Sequence, residues 1–346
     1  MDEDISYDSI QELLDRILGS SSFDFEEYVR QLVNGDTSID FVQFLSYVGQ
    51  GLLQGLTEQK NLFVLLIILA VFCGLFTNFA KMFQGKQVAD TAFYVTYVLL
   101  FSSLAASFYR IQDVASTTVE NLLEYIKVFV PSYFMAMAFS NGAQCSSGYY
   151  QFTLVVIAGL QYLLVYLLLP CVRIYFLLVL ANHLSEEDFL SKAQELVSTF
   201  VRWSTKTITT VVIGMNVIQS MILPVAGQIR KSAALKATSF IPGIGGGANA
   251  VAETVLSAAL VVKNAVGAVG VLGIVVICVI PLAKLMVYSL AYQCMGAVLQ
   301  PVSDKRIVGT ISGVAMSIRL LLHLVGVGAL MFILSITVMT SLGNVI

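Results

Sequence analysis

Long apolar runs, separated by short polar or broken stretches, organise this chain. Residues 61–80 and 91–109 are runs of about twenty, the length an α-helix needs to cross ~30 Å of hydrocarbon. Lys81 and Lys86 lie between them, and basic residues in a short loop predict its cytoplasmic side. Residues 110–127 carry mixed charge and read as an outer loop. A weaker run, 128–145, is interrupted by Pro131 and Asn141-Gly142. The run 152–181 contains Pro170 and Arg173. Pro170 has no N–H to donate to the Tyr166 carbonyl, which predicts a kink there. Residues 207–223 make a fifth run. Beyond them, 265–299 read as one kinked span or a hairpin broken at Pro281, and 309–345 as one span or two. Pro301 with Asp304-Lys305-Arg306 marks a turn between these two regions. The pattern predicts an all-α, polytopic α-helical integral membrane protein with about six to eight spans.

The first sixty residues differ. Two short amphipathic helices are expected: one after a Ser9-to-Glu12 capping box, and a second from Asp24 to Leu32, stopped by Asn34-Gly35. Twelve of the 22 acids of the chain fall here against Arg16, Arg30 and Lys60. Residues 1–60 therefore read as an acidic helical module in water, and 61–346 as the transmembrane domain. With the 81–86 loop cytoplasmic, the module faces the extracytoplasmic side. Its translocation calls for a signal peptide, and no basic n-region with an apolar h-region is visible in these residues. A third amphipathic helix is predicted from the Ser185-to-Asp188 cap, with the apolar stripe Phe189, Ala193, Leu196, Val197, Phe200 and Val201. Trp203, the single tryptophan, follows between Arg202 and Lys206. This pattern describes an interfacial helix with Trp203 as its headgroup-level anchor on membrane lipid.

Composition narrows the function classes. Hydrophobic residues are 57% of 346 and charged residues only 12%, against about 25% in soluble domains. The acidic module argues against a nucleic-acid partner. Cys73, Cys145, Cys171, Cys278 and Cys294 form no CxxC pair, and two histidines, His183 and His323, cannot make an HExxH zinc site. Gly243-Ile-Gly245 begins like a dinucleotide fingerprint but lacks the acid expected about twenty residues on. A non-enzymatic protein without metal or cofactor is expected.

The segment 224–264 stands out. It holds Pro224, the cations Arg230, Lys231 and Lys236, the break Pro242-Gly243, the cluster Gly245-Gly246-Gly247, then Glu253, Lys263 and Asn264. Glycine and proline at this density predict a broken element. Irregular backbone at membrane depth survives only where protein or a water-filled cavity covers it. Charges inside apolar segments, here Glu253 and Lys263, mark functional positions. The segment reads as a lining for a path or a docking surface for a partner, the three early cations also serving as a topological signal. Small residues recur later, at Gly267, Gly270 and Gly273 and at Gly309, Gly313 and Ser317, and read as helix-packing seams.

Pro224, Arg230-Lys231, Lys236, Phe240-Ile-Pro242, Gly245, Glu253 and Lys263-Asn264-Ala-Val-Gly267, then Pro281, Gln300-Pro301 and Asp304, resemble the stage III sporulation protein AE family of endospore-forming bacteria. Asn78 and the acidic leading segment are similar too. The resemblance spans essentially the whole chain and is densest over 216–306. It implies a multi-pass subunit of the mother-cell membrane around the forespore. There it would work in a multiprotein, channel-like complex related to secretion systems and needed for spore development after engulfment. The partners it implies are the other stage III sporulation proteins and a forespore membrane protein, with homo-oligomerisation left open. The alternative from the residues alone is a secondary-type permease with its substrate path at the broken segment 224–264.

Overall fold

Apolar residues three and four apart give every described element of this chain its buried stripe, and every one of those elements is helical. The computed structural model describes residues 7–18, 24–34, 49, 57, 60–61, 63–72, 74–76, 79, 86–141, 154–184, 188–238, 245–301 and 303–341. Of 86–90, 92, 138–141, 216, 218–238, 245–256, 338–339 and 341 it describes the backbone alone.

Helix α1 (Asp8–Leu18) buries Ile10, Leu13 and Leu14. It begins ahead of the predicted Ser9 cap, because the Tyr7 carbonyl takes the N–H groups of Ile10 and Gln11. In α2 (Phe25–Val33) the Asp24 side chain accepts from Glu27 N at 2.9 Å, and Asn34 closes the last turn. The Gln11 side chain accepts from Phe25 N and ties the two helices together. Both rest on the long helices: Arg16 pairs with Glu124, and the Phe25 ring meets Phe129 edge-on at 6.4 Å.

Helix α3 (Lys86–Asn141) corrects the sequence reading. The expected outer loop 110–127 is helical and joins two predicted spans into one element. Its charges sit outward while Ile111, Ala115, Val119, Leu122 and Ile126 are buried, a helical period without a turn signal. Pro131 lies inside this helix, its ring exposed. A shorter apolar stretch, Phe63–Phe76, occupies the place of the first predicted span.

Near Pro170, where a kink is expected, the helix changes register. Residues Tyr162–Leu168 are π-helical, with Leu169 N bonded back to the Leu164 carbonyl, and α4 (Leu169–Asn182) continues from there with Pro170 in its first turn. The wider register accommodates the proline without orphaning a turn of carbonyls. Helix α5 (Ser191–Thr238) runs unbroken through the predicted interfacial helix, the fifth span and position 224, so Pro224 does not start the break. Residues 239–244, with Pro242 and Gly243, and the 185–187 part of the predicted cap lie outside the described residues.

Helix α6 (Gly245–Leu299) is likewise one element across Pro281, and α7 (Lys305–Ser341) is one helix rather than two. They form an antiparallel pair about the Pro301 turn. Ser289 lies against Ala315, and Leu282 is the side chain nearest Gly326. This hairpin is the centre of the molecule: α3 lies along α6, and α4 and α5 lie along α7. Four described helices are long and apolar enough to cross a membrane: Phe93–Met137, Leu154–Asn182, Ser257–Leu299 and Lys305–Thr337.

Candidate functional site

Between α3 and α6 the structure assembles a seam of rings against glycines. Tyr125, Phe129 and Tyr133 stand at four-residue spacing on α3, with successive ring centroids 5.8 and 5.7 Å apart. On α6, Gly273 lies under Tyr125, Gly270 under Phe129, and Gly267 under Tyr133 and Thr340. A Cβ at any of the three glycines would overlap one of these neighbours. The missing side chains let the Tyr125 hydroxyl reach the Gly270 carbonyl at 3.2 Å. One turn before Gly267, on the same face, Lys263 is fully buried, and its Nζ has no hydrogen-bond partner among the described residues. Asn264 beside it is half-buried. Burying an ammonium without a partner is costly, and a protein keeps such a group where something else is gained.

The remaining predicted site residues are placed by backbone. Pro224, Arg230, Lys231 and Lys236 lie on the C-terminal half of α5, and Gly245, Gly246, Gly247 and Glu253 in the opening turns of α6. The expected pairing of Glu253 with one of the α5 cations falls on side chains outside the described ones. The second small-residue row also faces neighbours: Gly309 lies against the His183 ring and Gly313 against Val179, both at or beside the end of α4. Ser317 is buried and donates to the Gly313 carbonyl at 2.9 Å. Trp203 is 64% exposed on α5, in line with exposed Leu196 and Phe200, and Phe189 is exposed just before the helix begins.

Sequence reasoning missed the polar ties that fix these helices to one another. Tyr97 on α3 donates to the Leu180 carbonyl at 2.8 Å and meets the Thr310 hydroxyl at 3.1 Å. Tyr292 donates to Ser107 at 2.7 Å. The Arg306 guanidinium lies 3.4 Å over the Phe93 ring, next to Asp304. Arg173 stays on the bundle surface, donating to Gln112 at 3.2 Å near the Tyr109 face. Tyrosines in apolar runs were the available signal, since a buried hydroxyl needs a partner.

No group of three His, Cys, Asp or Glu that could hold a metal occurs among the described residues. The sequence profile of stage III sporulation protein AE matches residues 23–343, nearly the whole chain and all four apolar helices. The chain belongs to the stage III sporulation protein AE family. The stage III sporulation protein AE of Bacillus subtilis (strain 168) is 23% identical to it over 315 residues, 91% of this chain and 79% of the relative. No solved structure matches it. Family membership makes this a sporulation protein. Its four long apolar helices fit a multi-pass membrane protein, as the hydropathy pattern predicts.

Proposed function

We propose that this stage III sporulation protein AE homologue is a non-enzymatic subunit of a multiprotein channel-like complex in the mother-cell membrane around the forespore. The observation that carries the reading is the family match over residues 23–343, which takes in all four long apolar helices. The acidic α1–α2 module faces the space between the two membranes, where a forespore membrane protein meets it. The segment 224–264 serves as a path lining or partner-docking surface. In support, Lys263 is buried with no hydrogen-bond partner at its end among the described residues, and Gly267, Gly270 and Gly273 hold the helix beyond it against α3.

The test is affinity purification of a tagged chain from sporulating cells in which it replaces the resident family member. The other stage III sporulation proteins and a forespore membrane protein should co-purify. Glu253→Gln should leave membrane insertion intact while reducing that co-purification and spore yield. A chain that purifies alone and moves solute in liposomes unaided would replace this reading with a permease. The orientation is checked by Ser21→Cys, which should react with an impermeant thiol reagent in intact cells. Labelling only after lysis refutes it.

A further inference from the structure

The cleft of about 480 Å³ between α5 and α7 is lined by cations from both walls. Arg202 and Lys206 come from α5, and Arg319 with His323 from α7; the hydroxyl-bearing Thr209 and Thr210 lie on the α5 side. All four cationic or imidazole side chains are exposed to the cleft mouth. No carboxylate stands opposite them among the described residues. The single acid of α5, Glu195, is taken by Lys192 at 3.0 Å, and α7 and α4 contain no acid at all. Among the described residues, the Arg202 guanidinium donates to the Met316 sulfur at 3.5 Å and pairs with no carboxylate. The His323 ring is held by the Thr205 hydroxyl at 3.1 Å, so this wall is built and not merely mobile surface.

Three permanent charges of one sign in one cleft repel one another and call for a counter-anion. Guanidinium forks match phosphate oxygens bidentately, and lysine adds a point charge. The surroundings say where the phosphate comes from. Trp203 is exposed next to Arg202, and exposed Leu196, Phe200, Val211 and Ile213 continue the apolar surface of α5 to either side. Leu320 and Val327 give the cleft an apolar floor. Cations beside a tryptophan and flanked by apolar helix surface describe the headgroup level of a bilayer, and basic pockets between helices at that level take anionic headgroups.

We propose that the α5–α7 cleft binds the phosphate of an anionic phospholipid, held by Arg202, Lys206 and Arg319, with the acyl chains along the α5 surface. The inference is independent of the channel-complex reading and concerns this bundle alone.

The test uses the full chain purified in detergent, with its melting midpoint and its lipid occupancy by native mass spectrometry as readouts. Phosphatidylglycerol should raise the midpoint and remain bound, and phosphatidylcholine should do neither. Each cation removed should weaken phosphatidylglycerol binding about fivefold, so Arg202→Gln with Arg319→Gln should weaken it about 25-fold and shrink the shift accordingly. Lys305→Gln, outside the cleft, should keep it, and Arg319→Lys should retain most of it. Equal responses to the two lipids, or an undiminished response in the double variant, overturn the proposal. So does an equal shift from sodium phosphate without lipid, which would make this a site for a soluble anion. If the double variant does not fold, Lys206→Gln carries the test, and unchanged phosphatidylglycerol affinity there is refuting.

Discussion

Replacing Gly270 by alanine tests the seam that holds α6 against α3. The added methyl overlaps the Phe129 ring. That ring has little freedom to move: it is fully buried, with Tyr125 and Tyr133 flanking it at 5.8 and 5.7 Å and Phe25 at 6.4 Å. Overpacking a closed site of this kind costs about 1–3 kcal/mol. If the helices separate to admit the methyl, the Tyr125 hydroxyl also loses the Gly270 carbonyl, worth ~1 kcal/mol. Alanine returns at most ~1 kcal/mol through its better helix propensity. A net destabilisation of about 1–3 kcal/mol follows from these terms. The assay is the apparent melting midpoint of the purified protein in one detergent at one scan rate, since a protein of this size unfolds irreversibly. Gly270→Ala should melt lower than wild type in the native background. In a Phe129→Leu background, where the ring is gone, the same substitution should cost little, and the difference between backgrounds is the coupling of the pair. An equal drop in both backgrounds, or none in either, would show that the seam is not where α6 is held.

Lys263→Met should stabilise the protein by about 1–3 kcal/mol, read as a higher melting midpoint, because it removes a buried amine that has no hydrogen-bond partner among the described residues. The same variant should lower spore yield; a fall in stability would mean that the ammonium is satisfied. Phe25→Ala should free α1 and α2 from the bundle, losing about 3–5 kcal/mol locally, and expose residues 1–34 to limited proteolysis. Arg16→Ala should change the cleavage rate little, since an exposed ion pair is worth at most ~1 kcal/mol. Leu196→Glu places a charge on the exposed apolar stripe of α5, where Leu196 is 69% accessible and Phe189, just before the helix, 72%. Membrane abundance in fractionated cells should fall, and normal abundance would leave that stripe in water.

The helical class and the apolar runs were legible because hydropathy over about twenty residues reports directly on burial in hydrocarbon. Prolines were harder to read. Pro170 does change the helix, through a π turn at Tyr162–Leu168, whereas the helices run on through Pro131, Pro224 and Pro281. A proline removes one donor, and whether the helix ends there depends on packing around it that no single stretch encodes. The segment 110–127 misled for a different reason. Summed, its charges Arg110, Asp113, Glu120, Glu124 and Lys127 suggest a loop, whereas their spacing leaves Ile111, Ala115, Thr118, Val119 and Leu122 on one buried face.

Helix length follows from that correction and bears on how the bundle meets its membrane. At 1.5 Å per residue the 45 residues of Phe93–Met137 extend about 68 Å and the 43 of Ser257–Leu299 about 65 Å. Each is roughly twice the ~30 Å of hydrocarbon, so a straight helix of this length leaves much of itself outside the lipid tails. Cations from three helices converge at one height of the bundle. Arg173 on α4 lies between Val179, which faces Gly313, and Leu164, which faces Gly328, and this puts it level with Arg319. Arg319 in turn shares its cleft with Arg202 and Lys206. These residues lie far apart in the chain, and each taken alone reads as a single charge in or beside an apolar run. Only the parallel course of α5 and α7, with α4 antiparallel to both, brings them to one level. A boundary between hydrocarbon and headgroup at that level places the α5–α7 cleft where phosphate is densest, and leaves the ring-and-glycine seam of α3 and α6 on one side of it as a continuous packed unit.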